Sequence, residues 1–163
     1  VSKQQAQAGR QVLARVLGEE PGEHAGQDQK EGASARLFPR GEPITNDHFT
    51  GNVWLEMLVT DSETYDMRMG NVTFEPGART DWHAHPGGQI LIGTRGTGRY
   101  QEKDGAIETI ERGEVVRIAP SVVHWHGASP ESDFTHIAIV PNSEKGPTEW
   151  LDAVSDEAYR GSK

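Results

Sequence analysis

From Leu37 onward the chain alternates short apolar segments with turn residues, and this pattern limits its fold more than any other feature. The segment Val53–Thr60 is largely apolar and follows the turn pair Gly51-Asn52. A strong hairpin signal occurs at Asp104-Gly105. Many short strands at roughly regular spacing predict an all-β sandwich or small barrel. The predicted strands are Val53–Thr60, Met67–Phe74, Gln89–Thr94, Arg99–Glu102, Glu108–Ile110, Val115–Ile118 and Phe134–Val140.

The first 36 residues differ in composition from the rest of the chain. Gly9–Glu20 carries apolar residues at helical spacing and predicts a short amphipathic helix. Pro21–Ala35 is rich in Gly, Glu and Gln, which is typical of a flexible linker. We therefore divide the chain into a leading helix and linker, residues 1–36, and one domain, residues 37–163. The helix is either an oligomerisation arm, a remnant of another domain, or a surface helix.

The other end of the chain also suggests helix. Pro147–Tyr159 is expected to form one or two short helical turns. Its apolar residues Trp150 and Leu151 are expected to pack these turns on the outside of the domain. The expected fold is thus all-β with short N- and C-terminal helices.

Composition excludes several classes of function. The chain of 163 residues contains no cysteine, so a metal could be held only by nitrogen and oxygen ligands. A net charge of -9 and the lack of a basic patch argue against nucleic acid as a partner. No apolar run approaches the roughly 20 residues needed to cross a bilayer, so no membrane partner is expected. We expect a cytoplasmic protein, with export after loss of a signal peptide left open.

The segment Phe134–Val140 is apolar on both faces. A strand with one face in water should alternate more clearly between polar and apolar residues. The outer face is therefore expected to be covered by a second sheet or another subunit, and we favour a homodimer. Alternation suggests that the interior is lined by Val72, Ile90, Ile92, Ala138 and Val140.

Histidines in two segments point to a metal site. His83 and His85 are two residues apart, so on a strand both project from the same face. Gln89 follows closely, and His124 and His126 form a second pair at the same spacing about forty residues later. Imidazole nitrogens and an amide oxygen from these two segments can close around one divalent ion. A His-x-His pair alone would often be only a polar strand face, but the additional histidines favour metal binding.

The spacing of these residues resembles that of the cupin superfamily, the small double-stranded β-helix barrels. The first cupin motif is matched by Gly77, His83, His85, Gln89 and Gly96, with glutamine where the family usually has glutamate. The second motif is matched by Pro120-Ser-Val-Val-His124, which is one residue shorter than usual and lacks the glycine. The resemblance extends from about Leu37 to the end and implies a cupin barrel.

Within that superfamily the chain resembles small monocupins that include the manganese-dependent bacterial hydroxynitrile lyases. The similarity lies in Phe74–His85, Gly88-Gln89, His124–Ala128 and Thr135-His136. It implies that the metal ligands are His83, His85, Gln89 and His124. It also implies that His136 is the catalytic base and that the ion is Mn2+ or Fe2+. His126 shares a strand face with His124, so it is expected to point into the barrel as a second catalytic histidine. Imidazole ligation adds Ni2+ and Zn2+ as alternative ions.

Glutamine in place of glutamate changes the expected chemistry. Three imidazoles and the Gln89 amide are all neutral, so a divalent ion keeps its full charge. Such an ion is a stronger Lewis acid and a weaker electron donor than one bound to a carboxylate. This favours polarisation of an oxygen substituent of a small-molecule substrate over redox chemistry. Together with the resemblance, it implies a lyase acting on a cyanohydrin as the function. A dioxygenase of the quercetinase or diketone-cleaving type, and a non-catalytic cupin that binds a small molecule, remain as alternatives.

The remaining conspicuous side chains suggest structural roles. Trp82 and Trp125 alternate with the histidines and should face away from a metal, so we expect them to pack. Arg79 is expected to pair with a nearby carboxylate, with binding of an anion as the alternative. His24 and His48 lie outside both motifs and are expected at the surface. For His136, a buried histidine bonded to a carbonyl is the alternative to a role in proton transfer.

Overall fold

The computed structural model describes residues 35–161. The predicted helix Gly9–Glu20 and His24 lie outside these residues, and the division at residue 36 stays a prediction. Within the described range no helix is both long and apolar enough to pass through a membrane.

Residues 35–161 fold mainly into β-strands, as the sequence predicts. Two short helices accompany them, α1 at Ser62–Tyr65 and α2 at Asp156–Arg160, together with a 3-10 turn at Ser143–Lys145. The strands are β1 Glu42–Pro43, β2 Phe49–Thr50, β3 Val53–Val59, β4 Met67–Phe74, β5 Arg79–Thr80, β6 His83–Ala84, β7 Gln89–Gly96, β8 Gly98–Glu102, β9 Glu108–Ile110, β10 Val115–Ile118, β11 His124–Ala128, β12 Phe134–Pro141 and β13 Glu149–Trp150.

The strands form two antiparallel sheets. The first sheet has the order β1-β3-β4-β12-β7-β10. The second has the order β13-β6-β11-β5-β2, with β8 paired to β11 and β9 paired to β8. Strands that are distant in sequence are neighbours in both sheets, which is how two separate histidine segments come together. The prediction of an all-β sandwich or barrel is confirmed.

The main core lies between the two sheets. Phe74 and Phe134 are fully buried and come from paired strands of the first sheet. Tyr100 and Ala128 belong to the same buried cluster and come from the second sheet. Burial of two phenylalanine side chains alone stabilises the fold by about 3–6 kcal/mol. These apolar side chains fill one part of the interior, and the buried histidines of the two predicted motifs occupy another.

The two faces of the first sheet differ in a way that corrects one expectation. Gln89 and Leu91 of β7 are buried, whereas the alternating Ile90 and Ile92 are only partly buried. The expectation that Ile90 and Ile92 line the interior was therefore wrong. They lie on the outer face, beside Ile137 and Ile139 of the neighbouring strand β12. The homodimer stays a prediction, and this outer isoleucine face is where it can be tested.

The C-terminal segment also differs from its expectation. Glu149–Trp150 is a strand rather than a helical turn, and it pairs with β6 so that Trp150 lies opposite His83. Leu151 is 51% exposed and does not pack. Only α2 is helical, and it is capped by the Ser155 side chain, which accepts a hydrogen bond from the Ala158 amide. Pairing with β6 overrides the weak helical signal of this segment.

Candidate metal centre

The four predicted metal ligands lie at, or directly next to, the ends of three strands. His83 of β6 is directly opposite His124 of β11, so strand pairing alone brings their side chains together. His85 follows β6, and Gln89 is the first residue of β7. Between them the chain turns at Gly88, whose φ of +86° is unfavourable for residues with a side chain. A Cβ at this position would also lie 2.9 Å from the Ile118 carbonyl oxygen. Glycine is therefore needed to bring Gln89 back toward the histidines.

The structure brings these donors close enough to bind one ion. Nitrogen atoms of His83, His85 and His124 all lie within 4.8 Å of one another. The Oε1 atom of Gln89 lies 2.9 Å from Nε2 of His124, so the amide oxygen belongs to the same cluster. The four side chains are buried, with exposed fractions of 2%, 7%, 0% and 4% for His83, His85, His124 and Gln89.

Hydrogen bonds on the far side of each ring orient the nitrogens. Nδ1 of His83 donates to the Asp81 carbonyl oxygen at 2.9 Å, and Nδ1 of His124 donates to the Val122 carbonyl oxygen at 2.9 Å. A carbonyl only accepts, so the proton of each ring lies on Nδ1. The Nε2 lone pairs of His83 and His124 are thus free to bind a metal, and such bonds typically fix metal-bound histidines.

Burial keeps the cluster uncharged. Desolvation lowers the pKa of His85 and of His124 to about 4. The pKa of His83 is also lowered well below its usual value, first by burial and then by the proximity of His124. All three rings are therefore neutral near pH 7 and can donate a lone pair without first losing a proton.

This donor set fits a first-row divalent ion. Imidazole nitrogens with an amide oxygen suit Mn2+, Fe2+, Ni2+ and Zn2+, and the absence of cysteine removes thiolate competition. Four protein ligands leave one or two positions for a substrate on a five- or six-coordinate ion, whereas they would saturate a tetrahedral Zn2+. His83, His85 and His124 thus form a group that could hold a metal ion, and Gln89 lies beside it.

Of the two predicted catalytic histidines, His126 lies next to this cluster and His136 lies behind it, against His126. The ring centroid of His126 is 5.3 Å from that of His83 and 4.9 Å from that of His136. Both side chains are buried, His126 with 4% and His136 with 0% of its surface exposed. Within residues 35–161, neither ring nitrogen of His136 has a hydrogen-bond partner, and neither does Nδ1 of His126.

These unpartnered nitrogens distinguish His136 from an ordinary core histidine. A structural histidine would bond to a carbonyl, as His83 does, because an unpaired buried polar atom costs about 1–3 kcal/mol. Burial lowers the pKa of His136 to about 4 and also lowers the pKa of His126. Both rings are therefore neutral near pH 7, and each has a nitrogen able to accept a proton.

The side chains predicted to be structural do pack away from the cluster. Trp82 and Trp125 lie in a second buried cluster with Val154 and Tyr159. Arg79 is buried and donates through Nη2 to Asp156 Oδ1 at 2.8 Å, which confirms the expected carboxylate partner. The same guanidinium donates to the Val154 carbonyl oxygen and so fixes the C-terminal segment to β5.

Three residues near the metal centre were missed by sequence reasoning. The ring of Trp150 lies 4.9 Å from that of His83, and the Oγ1 atom of Thr148 lies 3.3 Å from His85 Nδ1. His48, expected to be a free surface group, stacks in parallel on Trp150 at 4.4 Å. None of them belongs to a recognisable motif, and only long-range strand pairing brings them here.

Comparisons with known proteins agree with this geometry. Residues 70–140 match the family model described as a cupin domain. The chain is 45% identical over 114 residues to a protein of Granulicella tundricola named (R)-mandelonitrile lyase, an overlap that covers 70% of this chain and 87% of that relative.

Solved structures show the same fold. A cupin-like protein of Thermotoga maritima is 50% identical, with a TM-score of 0.77 over 79% of this chain and 98% of that one. A cupin 2 conserved barrel domain protein from Rhodopseudomonas palustris is 17% identical with a TM-score of 0.59, covering 69% of this chain and 77% of its own, and supports the fold alone. The histidine cluster, the two sheets and these relatives together show that the chain belongs to the cupin family.

Proposed function

We propose that the protein is a metal-dependent hydroxynitrile lyase, which cleaves or forms cyanohydrins. The observation that carries this proposal is a neutral cluster of four predicted ligands, next to which His126 contacts a buried, unpartnered histidine, His136. A 45% identical relative named (R)-mandelonitrile lyase supports the same reaction class. The favoured ion is Mn2+, held by His83, His85, Gln89 and His124, with Fe2+, Ni2+ and Zn2+ as alternatives. When bound, such an ion supplies Lewis-acid polarisation of the substrate's oxygen.

The role of the protein in cleavage is to take up the hydroxyl proton. A neutral ring nitrogen of His136 accepts this proton while the bond between the carbinol carbon and the nitrile carbon breaks. The electron pair of that bond leaves with cyanide, and the hydroxyl oxygen becomes the carbonyl oxygen of an aldehyde. His136 then returns the proton to cyanide, so that the products are an aldehyde and hydrogen cyanide. In the direction of synthesis, His136 takes the proton from hydrogen cyanide and returns it to the oxygen as cyanide adds to the aldehyde carbon.

The surroundings of His136 suit this proton transfer. Its ring lies 5.6 Å from that of Phe74 and 5.3 Å from that of Phe134, so one side is apolar. The other side faces His126 at 4.9 Å. An apolar wall excludes water and keeps the imidazole neutral, whereas His126 provides a second neutral acceptor nearby. The low pKa of His136 means that the protonated ring gives up its proton readily to cyanide.

The proposal is tested by mandelonitrile cleavage, followed as benzaldehyde release. The purified protein should cleave mandelonitrile, lose the activity after treatment with a chelator, and regain it with added Mn2+. His136→Leu should reduce the rate by about 100-fold or more, the usual contribution of a general base. His48→Phe keeps an aromatic ring on Trp150 and serves as the matched control, with activity near that of the wild type.

Two outcomes would contradict the proposal. One is a wild-type protein that binds metal but releases no benzaldehyde. The other is cleavage that a chelator leaves unchanged. Oxygen uptake in the presence of a flavonol or a diketone would instead indicate a dioxygenase. Ligand-induced thermal stabilisation without turnover would indicate a binding protein.

A further inference from the structure

The C-terminal strand β13 lies against the metal-binding strand β6. Glu149 pairs with Ala84 and Trp150 pairs with His83. Two further backbone hydrogen bonds extend the contact, from the Leu151 amide to the Trp82 carbonyl oxygen and from the Trp82 amide to the Asp152 carbonyl oxygen. The family model matches residues 70–140, so this strand lies outside the matched stretch.

The three ligand histidines are oriented in two different ways. For His83 and His124, the Nδ1 atom donates to a backbone carbonyl two residues earlier in the chain. These bonds are local and are set by the strands that carry the histidines. The Nδ1 atom of His85 lies instead 3.3 Å from the Thr148 hydroxyl oxygen, 63 residues away. The orientation of His85 therefore depends on a side chain from the C-terminal segment.

We infer that Thr148 is a positioning residue for the metal centre, holding His85 through its side-chain hydroxyl. The inference rests on the proposed function, because it requires that His85 be a metal ligand. When Nε2 of His85 binds the ion, the ring proton lies on Nδ1, and the Thr148 hydroxyl oxygen is placed to accept it. Strand β13 supports this contact, because its antiparallel pairing of Glu149 with Ala84 brings the preceding Thr148 beside the following His85.

The contact has a specific energetic consequence. His85 is buried, so without the Thr148 hydroxyl its Nδ1–H would lack a partner when Nε2 binds the ion. Loss of an outer hydrogen-bond partner typically weakens metal binding about 10- to 100-fold. The segment around Thr148 thus acts on metal affinity without contacting the ion.

The experiment compares Mn2+ dissociation constants, measured by competition with a chelating dye, for three variants and the wild type. Thr148→Val removes the hydroxyl and keeps the shape, so its affinity should fall about 10- to 100-fold. Thr148→Ser keeps the hydroxyl and should bind within about threefold of the wild type. Thr94→Val is the matched control, because it removes a threonine hydroxyl that donates to the Thr135 carbonyl oxygen at 3.0 Å, away from the cluster.

The outcomes separate this inference from the proposed function. If the wild type binds no Mn2+, the proposed function fails. If the wild type binds and Thr148→Val binds equally well, only the positioning role is overturned. A Thr148→Ser variant as weak as Thr148→Val would also overturn it, since the hydroxyl would then not be the cause. Thermal unfolding of the metal-free variants shows whether each is folded.

Discussion

Replacing His136 with leucine should stabilise the metal-free protein against acid while removing its activity. His136 is fully buried between Phe74 and Phe134, and burial lowers its pKa from 6.5 to about 4. Leucine is similar in volume, keeps the apolar contacts, and has no ring nitrogen to bury. At pH 7 the variant should therefore be at least as stable as the wild type.

The difference between the two proteins should grow as the pH falls. Between the unfolded pKa of 6.5 and the folded pKa of about 4, the unfolded wild type binds a proton at His136 that the folded protein does not. The free energy of unfolding of the wild type is therefore highest above pH 6.5 and declines as the pH falls from 6.5 toward about 4. Between pH 7 and pH 5 the decline due to His136 alone is about 2 kcal/mol. His126 adds to the difference in the same direction, because its pKa is lowered by burial and then by His136, which the variant lacks. The other buried histidines contribute similarly to both proteins and cancel.

The assay is urea unfolding of metal-free protein at pH 7 and at pH 5. With a urea m-value of about 1–3 kcal/mol/M, a change of ~2 kcal/mol shifts the relative midpoint by about 1 M. Thr94→Val, which removes no titratable group, should keep a constant offset from the wild type at both pH values. A His136→Leu variant whose offset is the same at pH 7 and pH 5 would refute the argument. So would a variant that is several kcal/mol less stable at pH 7.

Three further substitutions test other parts of the structure. Gln89→Glu adds a carboxylate to the cluster and should tighten metal binding, measured by chelator competition. The same substitution should slow mandelonitrile cleavage by about tenfold, which corresponds to ~1.4 kcal/mol in the activation barrier. Arg79→Met removes the hydrogen bonds to Asp156 and to the Val154 carbonyl oxygen. It should lower the free energy of unfolding, measured in urea, by about 2–3 kcal/mol, and an unchanged free energy would contradict this. Ile139→Lys places a charge on the outer isoleucine face and should convert the expected homodimer to a monomer in light scattering, unless the wild type is already monomeric.

Much of the metal centre could be predicted from the sequence because its geometry is local. His83 and His85 are two residues apart, and strand geometry directs both to one side. The partnership with His124 needed the pairing of two distant strands, and the resemblance to cupins supplied it. The same resemblance identified Gln89, since a glutamine alone carries no metal-binding signal. Burial of His136 followed from its place within an apolar strand.

The features that were missed depend on long-range pairing. Strand β13 has only two residues, so no periodicity could reveal it, and its weak helical pattern suggested the wrong element. Thr148 and Trp150 reach the metal centre only because this strand adds to the edge of the second sheet. Ile90 and Ile92 were assigned to the wrong face because both faces of their strand are apolar. Because Gln89 was expected to point inward, alternation along the strand would have placed Ile90 and Ile92 on the outer face.

Metal stoichiometry tests the central claim most directly, namely that side chains from two separate segments hold one divalent ion. Wild-type protein and His124→Ala would be dialysed against Mn2+, freed of loose ions, and measured by elemental mass spectrometry. We predict about one ion per wild-type chain and a loss of nearly all bound metal in His124→Ala. A wild type that retains no metal, or a variant that retains as much as the wild type, would contradict it.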